Sequence, residues 1–153
     1  MSTRPSSFPP VAPAPVCSAA AITCLERAER ALLEAGAAGE HTVRYASAHV
    51  AALRTAAAVL AVRTRPHPRG ERNAWVLLTR IAPELAEWAA FFAAGAAKRA
   101  AAEAGSTRAV TEREADDLVR DSDRFLAVIE QALGLAPHVP FEEQIPWRAG
   151  RSA

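Results

Sequence analysis

An all-α fold, an antiparallel four-helix bundle with one long helix interrupted near Pro83, is predicted by three features of this 153-residue chain. Alanine, the residue with the highest intrinsic helix propensity, supplies about a quarter of the sequence. Three segments of about 22 residues, about 33 Å at the helical rise, have matching lengths as antiparallel staves, and no stretch shows strand alternation. The eighteen residues from Tyr45 to Val62 carry one formal charge, Arg54, so their helix is expected to be buried nearly all round.

In chain order, Ser18 is the expected N-cap of a first helix over Ala19–Ala35. There Ile22, Leu25, Ala28, Leu32 and Ala35 share a face, and Gly36 and Gly39 supply the stop. The second helix is predicted from Thr42 to Arg63 or Arg65, with Val43, Ala46, Val50, Leu53, Ala57 and Leu60 as its apolar seam, and it ends at Pro66 and Pro68. A third segment, Arg72 to Ile81, leads into Pro83, which suits the first turn of a fourth helix reaching Ala104. In that helix Leu85, Trp88 and Phe92 form a central seam and Gly95 marks a close backbone approach. It is the expected packing partner of the second helix. Thr111 and Glu114 make a capping box for the last helix, which carries the stripe Ala115, Leu118, Val119, Ser122, Phe125, Leu126, Ile129 and Leu133. Gly134 and Leu135 end it.

These elements divide the chain into a Pro-rich tail over 1–17, expected to be disordered, a helical bundle over 18–134 and a C-terminal tail over 135–153. With 18 Lys and Arg against 17 Asp and Glu, the net charge of +1 gives no whole-molecule field for nucleic acid or membrane. Local clusters must supply any such contact. Cys17 and Cys24 lie seven residues apart, about 10 Å along a helix and too far for a disulfide, so they are read as thiols. The first sixteen residues have five prolines and no apolar signal core, and a cytoplasmic location with no membrane association is expected. His41, His49, His67 and His138 show no metal-ligand spacing, and neither phosphate loop nor serine-nucleophile motif is present. No metal and no cofactor are expected.

RYASAHVAALRTAAAVLAVRTRP, residues 44–66, and WVLLTRIAPELAEWAAFFAAGAAKRAAAEAG, residues 75–105, resemble the helices of an actinobacterial family within the HEPN (higher eukaryotes and prokaryotes nucleotide-binding) superfamily. The resemblance covers roughly Ser18 to Leu133 and implies a four-helix bundle, commonly dimeric, acting as an RNase, a toxin or an RNA-binding accessory module. Catalytic members use Arg-x4-6-His with metal-independent chemistry. Carried onto this chain, Arg44 would stabilise charge at phosphorus and His49 would transfer a proton to or from the 2′-hydroxyl or leaving oxygen. Five residues subtend about 140° on an ideal helix, so the pair shares a face only through distortion or a partner chain. The bland alternative for His49 is a packing residue beside the seam.

RTRPHPRGER, residues 63–72, offers Arg63, Arg65, Arg69 and Arg72 as phosphate contacts, and Arg99 and Arg108 flank the turn into the last helix. No aromatic residue lies within 63–72 to stack bases. The expected function is therefore an RNA- or nucleotide-associated accessory module without strong catalysis, probed against a metal-independent ribonuclease using Arg44 and His49 and a protein-interaction adaptor. A homodimer through alanine-rich surface is expected. The C-terminal tail, with Val139, Phe141, Ile145 and Trp147, either packs back on the bundle or binds a protein partner.

Overall fold

The computed structural model describes residues 17–63 and 73–144. Arg65, His67, Arg69 and Arg72, the tail over 1–16, and Ile145 and Trp147 fall outside the described residues. The elements are α1 (Ala19–Ala37), α2 (His41–Arg63), α3 (Ala74–Ile81), a 3-10 turn (Pro83–Leu85), α4 (Ala86–Ala94), α5 (Ala96–Glu103), α6 (Glu112–Ala132) and α7 (Phe141–Gln144). Among the described residues there is no strand, and the fold is all-α.

The starts follow from local chemistry. Ser18 accepts the amide of Ala21 at 3.2 Å, and Asn73, which sequence reasoning did not identify, accepts those of Trp75 and Val76 to start α3. Thr111 and Glu114 exchange both bonds of a capping box at α6. At the other end of α6 the chain reverses at Gly134, φ +76°, and the Leu135 amide bonds the Glu130 carbonyl at 2.8 Å, closing a Schellman motif. The chain is interrupted near Pro83 as expected, whereas the expected fourth helix from Pro83 to Ala104 opens as a 3-10 turn and is broken once more, at Gly95. α1 instead runs two residues past its expected end, with Gly36 buried inside it. A Cβ at Gly36 would lie 1.7 Å from the Phe141 ring, so this glycine is a seat for a side chain from elsewhere in the chain and not a stop.

α2 is the central stave. It packs most extensively on α1, then on α6, α5 and α3. Consecutive staves alternate in direction, so α2 and α6 run parallel, and they meet directly: Ser122 Oγ donates to the Ala48 carbonyl at 2.9 Å, one turn beyond the Arg44–Asp116 pair. The expected fourth segment does pack on α2, through α5, but α1 and α6 pack on it more extensively. The reason is side-chain size. Alanines buried on α1, at Ala21, Ala28, Ala31 and Ala35, and on α2, at Ala51, Ala52 and Ala56, let the two helices approach closely, whereas the rings of Trp88 and Phe92 take up room on α4.

The seam expected on α2 also rotates. Val43 is 49 % exposed and Ala46, Val50, Leu53 and Ala57 are only partly buried, while Tyr45, Ala48, His49, Ala52, Thr55, Ala56 and Val59 face inward. With alanine on every side, hydropathy alone cannot orient this helix. The decision falls to residues that fill space or form bonds, such as Tyr45, His49 and Thr55, whose hydroxyl donates to the Ala51 carbonyl at 2.9 Å. By length and composition α2 could cross a membrane, yet 56 % of its most apolar window is buried inside the bundle. It is the core helix of this domain.

Candidate functional site

Arg44 and His49 leave α2 toward different neighbours. Arg44, 7 % exposed, donates from Nη1 to Asp116 of α6 at 2.7 Å and from Nη2 to the Ala38 carbonyl at 3.1 Å. Ala38 caps the C-terminus of α1, where the helix dipole favours a cation, so the guanidinium joins three helices at one end of the bundle. Arg44 Nε is buried with no acceptor among the described residues.

His49 is 1 % exposed and lies between rings. Trp75 meets it edge-on with centroids 5.9 Å apart, and Phe92 does so at 6.3 Å. Its Nε2 is 2.9 Å from the Phe92 carbonyl, which can only accept, so Nε2 carries the proton and Nδ1 presents a lone pair with no partner among the described residues. The same carbonyl also accepts the Gly95 amide at 3.1 Å where the helix breaks, so it takes two donors. A Cβ at Gly95 would stand 2.7 Å from the Tyr45 hydroxyl and 3.6 Å from His49 Cδ2. Gly95 therefore does mark a close approach, and what approaches is the Tyr45 and His49 face of α2. Burial holds the His49 imidazole below its ordinary range, against the opposing pull of the Phe92 carbonyl.

The remaining cationic candidates are dispersed. Arg63, at the end of α2, pairs with Glu84, and Arg99 of α5 has its Nε 3.8 Å from Glu103. Arg108 is exposed in the turn between α5 and α6, and that turn does reach the head of α2: His41 Nε2 donates to the Thr107 carbonyl at 3.0 Å. Lys98 beside it is tied to Glu114 at 2.6 Å, which raises the lysine and lowers the carboxyl from their ordinary values. Among the described residues, no group of three or more His, Cys, Asp or Glu side chains is arranged to hold a metal ion.

Sequence reasoning missed an acidic row on α6. Asp116, Asp123 and Glu130 stand seven residues apart, about two turns each, so they line one face. Asp116 takes Arg44, and Asp123 and Glu130 take the two ring nitrogens of His138. The signal was present as an acid repeating every seven residues beside the apolar stripe. The cations that answer it come from distant parts of the chain.

Residues 35–130 match the sequence profile of the SAV_6107-like HEPN family. The chain belongs to this HEPN family. Membership ties it, in general terms, to nucleotide- and RNA-associated function. No curated protein and no solved structure matches the chain significantly. Within this HEPN domain the match takes in Arg44, His49 and Asp116, whereas most of α1 and the segment carrying His138 lie beyond it.

Proposed function

We propose that this HEPN domain is a cytoplasmic RNA- or nucleotide-associated accessory module that does not cleave RNA. The observation carrying the non-cleaving role is the burial of His49: at 1 % exposure, with Nε2 committed to the Phe92 carbonyl, its ring has no path to a phosphate or a 2′-hydroxyl. Arg44 is equally committed, to Asp116 and Ala38. The Arg-x4-His pair then serves the fold, one member joining helix ends and the other closing a broken helix.

The association with RNA or nucleotide rests on the family, on exposed Arg108 and Arg63, and on the run of arginines in the sequence, Arg65, Arg69 and Arg72. Contacts of this type neutralise phosphates without reading bases. Anisotropy of a labelled single-stranded RNA is expected to report weak binding that falls steeply with added salt. It should weaken further when Arg65, Arg69 and Arg108 are changed to glutamine. Absence of RNA and nucleotide binding at every salt concentration would favour a protein-interaction adaptor.

The domain is proposed to act as a homodimer through the half-exposed face of α2, where Val43, Val50, Leu53 and Ala57 form an apolar row interrupted only at its edge by Arg54. Sedimentation equilibrium at about 100 µM, far above ordinary obligate-dimer dissociation constants, should give twice the chain mass. A monomer at that concentration would exclude this assembly.

A further inference from the structure

The chain after α6 turns back along that helix toward the α1 end of the bundle. His138 lies first on this return path, its side chain 3 % exposed. Its Nδ1 meets the Glu130 carboxylate and its Nε2 the Asp123 carboxylate. The His138 amide donates to Glu130 at 3.2 Å, and the Phe141 amide to Asp123 at 3.3 Å. Phe141, 3 % exposed, then fills the seat left open by Gly36 of α1.

Carboxylates only accept, so both ring contacts hold together only when both imidazole nitrogens carry protons. A neutral ring would turn a lone pair toward one of the two acids. Glu130 is itself buried, at 9 % exposure, so the lost proton would also leave it without its compensating charge. The charged groups bearing on the ring are Asp123 and Glu130, both from α6, and α1 turns Gly36 toward the segment.

We propose that residues 135–144 form a proton-fastened strap: charged His138 docks it and seats Phe141 on Gly36, and neutral His138 releases it, uncovering the seat and exposing the Phe141 ring. The hydrogen bond to Asp123, reinforced by Glu130, holds the imidazole up at about 9 against an ordinary 6.5. A raised value stabilises the form below it. Docking is complete below about pH 6.5, weakens by about tenfold per pH unit above that, and is lost as pH climbs through about 9. The seat lies two residues before Ala38, whose carbonyl accepts from Arg44.

The test is NMR of ring carbon–proton resonances in the full chain, titrated from about pH 6 to about pH 10. His138 and Phe141 are expected to shift together with a midpoint near 9, Phe141 moving to the position of a solvated ring while Phe92 and Phe125 stay in place. Asp123→Asn is expected to lower the common midpoint by about one pH unit or more, because it removes the stronger partner. The wild-type titration decides the matter alone if the variant does not fold. A Phe141 ring that keeps its docked position after His138 has lost its proton would overturn the strap, as would a His138 titration near 6.5 or a midpoint unmoved in Asp123→Asn.

Discussion

Replacing Phe92 with alanine is expected to lower the free energy of unfolding by about 3 to 5 kcal/mol, measured by urea denaturation at neutral pH. Phe92 is fully buried among rings, which include Trp75 at 5.2 Å, Trp88 at 6.0 Å and Phe125 at 5.2 Å between centroids. Its removal opens a cavity lined by rigid rings, which relax only partly to refill it. Trp88→Ala should cost less, because Trp88 is half-exposed and sits at the edge of the cluster. An equal or greater loss for Trp88→Ala would place the centre of the core elsewhere.

The second large effect concerns His49 and depends on pH. A ring held below its ordinary value is neutral in the fold, while the unfolded chain takes up a proton near 6.5. The contribution of His49 is therefore complete above about pH 6.5 and is lost as pH falls toward the depressed folded value, with a limiting slope of about 1.4 kcal/mol per pH unit for one proton. His138, raised to about 9, gives the opposite slope on the alkaline side. The two together place the stability maximum near pH 6.5. His49→Phe should flatten the acid limb and leave the alkaline limb unchanged, whereas His49→Ala should cost about 2 to 3 kcal/mol at neutral pH through lost ring contacts and a weakened bond to a buried carbonyl. An acid limb that is equally steep in His49→Phe would mean that His49 is not buried as a neutral ring.

Much of the fold was legible because local chemistry fixes it. Ser18, the Thr111–Glu114 box and the Gly134–Leu135 stop each act within a few residues, and each holds in the structure. The stripe on α6 was legible because charged residues alternate sharply with its apolar ones; every member from Ala115 to Leu133 is buried. The orientation of α2 was not legible, since alanine surrounds it and the burying face is chosen by contacts with α1 and α6. Gly36 was misread for a related reason. A glycine inside a helix looks like a stop until Phe141, more than a hundred residues later, is seen to occupy its missing side chain.

The candidate site was legible as a motif and not as a geometry. Arg44 and His49 stand five residues apart in sequence, and the helical angle of about 140° already separates their directions. What the sequence could not display was the destination of each side chain. Asp116 lies 72 positions from Arg44, and the Phe92 carbonyl that accepts from His49 lies 43 residues downstream, beside the helix break at Gly95. The acidic row of Asp116, Asp123 and Glu130 had a visible period, but its meaning depends on cations brought in from α2 and from the strap.

The central claim is that Arg44 and His49 hold the bundle together and do not cut RNA. The direct measurement is incubation of the purified full chain with end-labelled single-stranded RNA in EDTA, beside His49→Ala and Arg44→Ala, with product resolved on a denaturing gel. Intact RNA in every lane is expected, together with a loss of folding stability in both variants. EDTA-resistant cleavage by the wild-type chain, reduced at least about a hundredfold in His49→Ala while that variant stays folded, would contradict it.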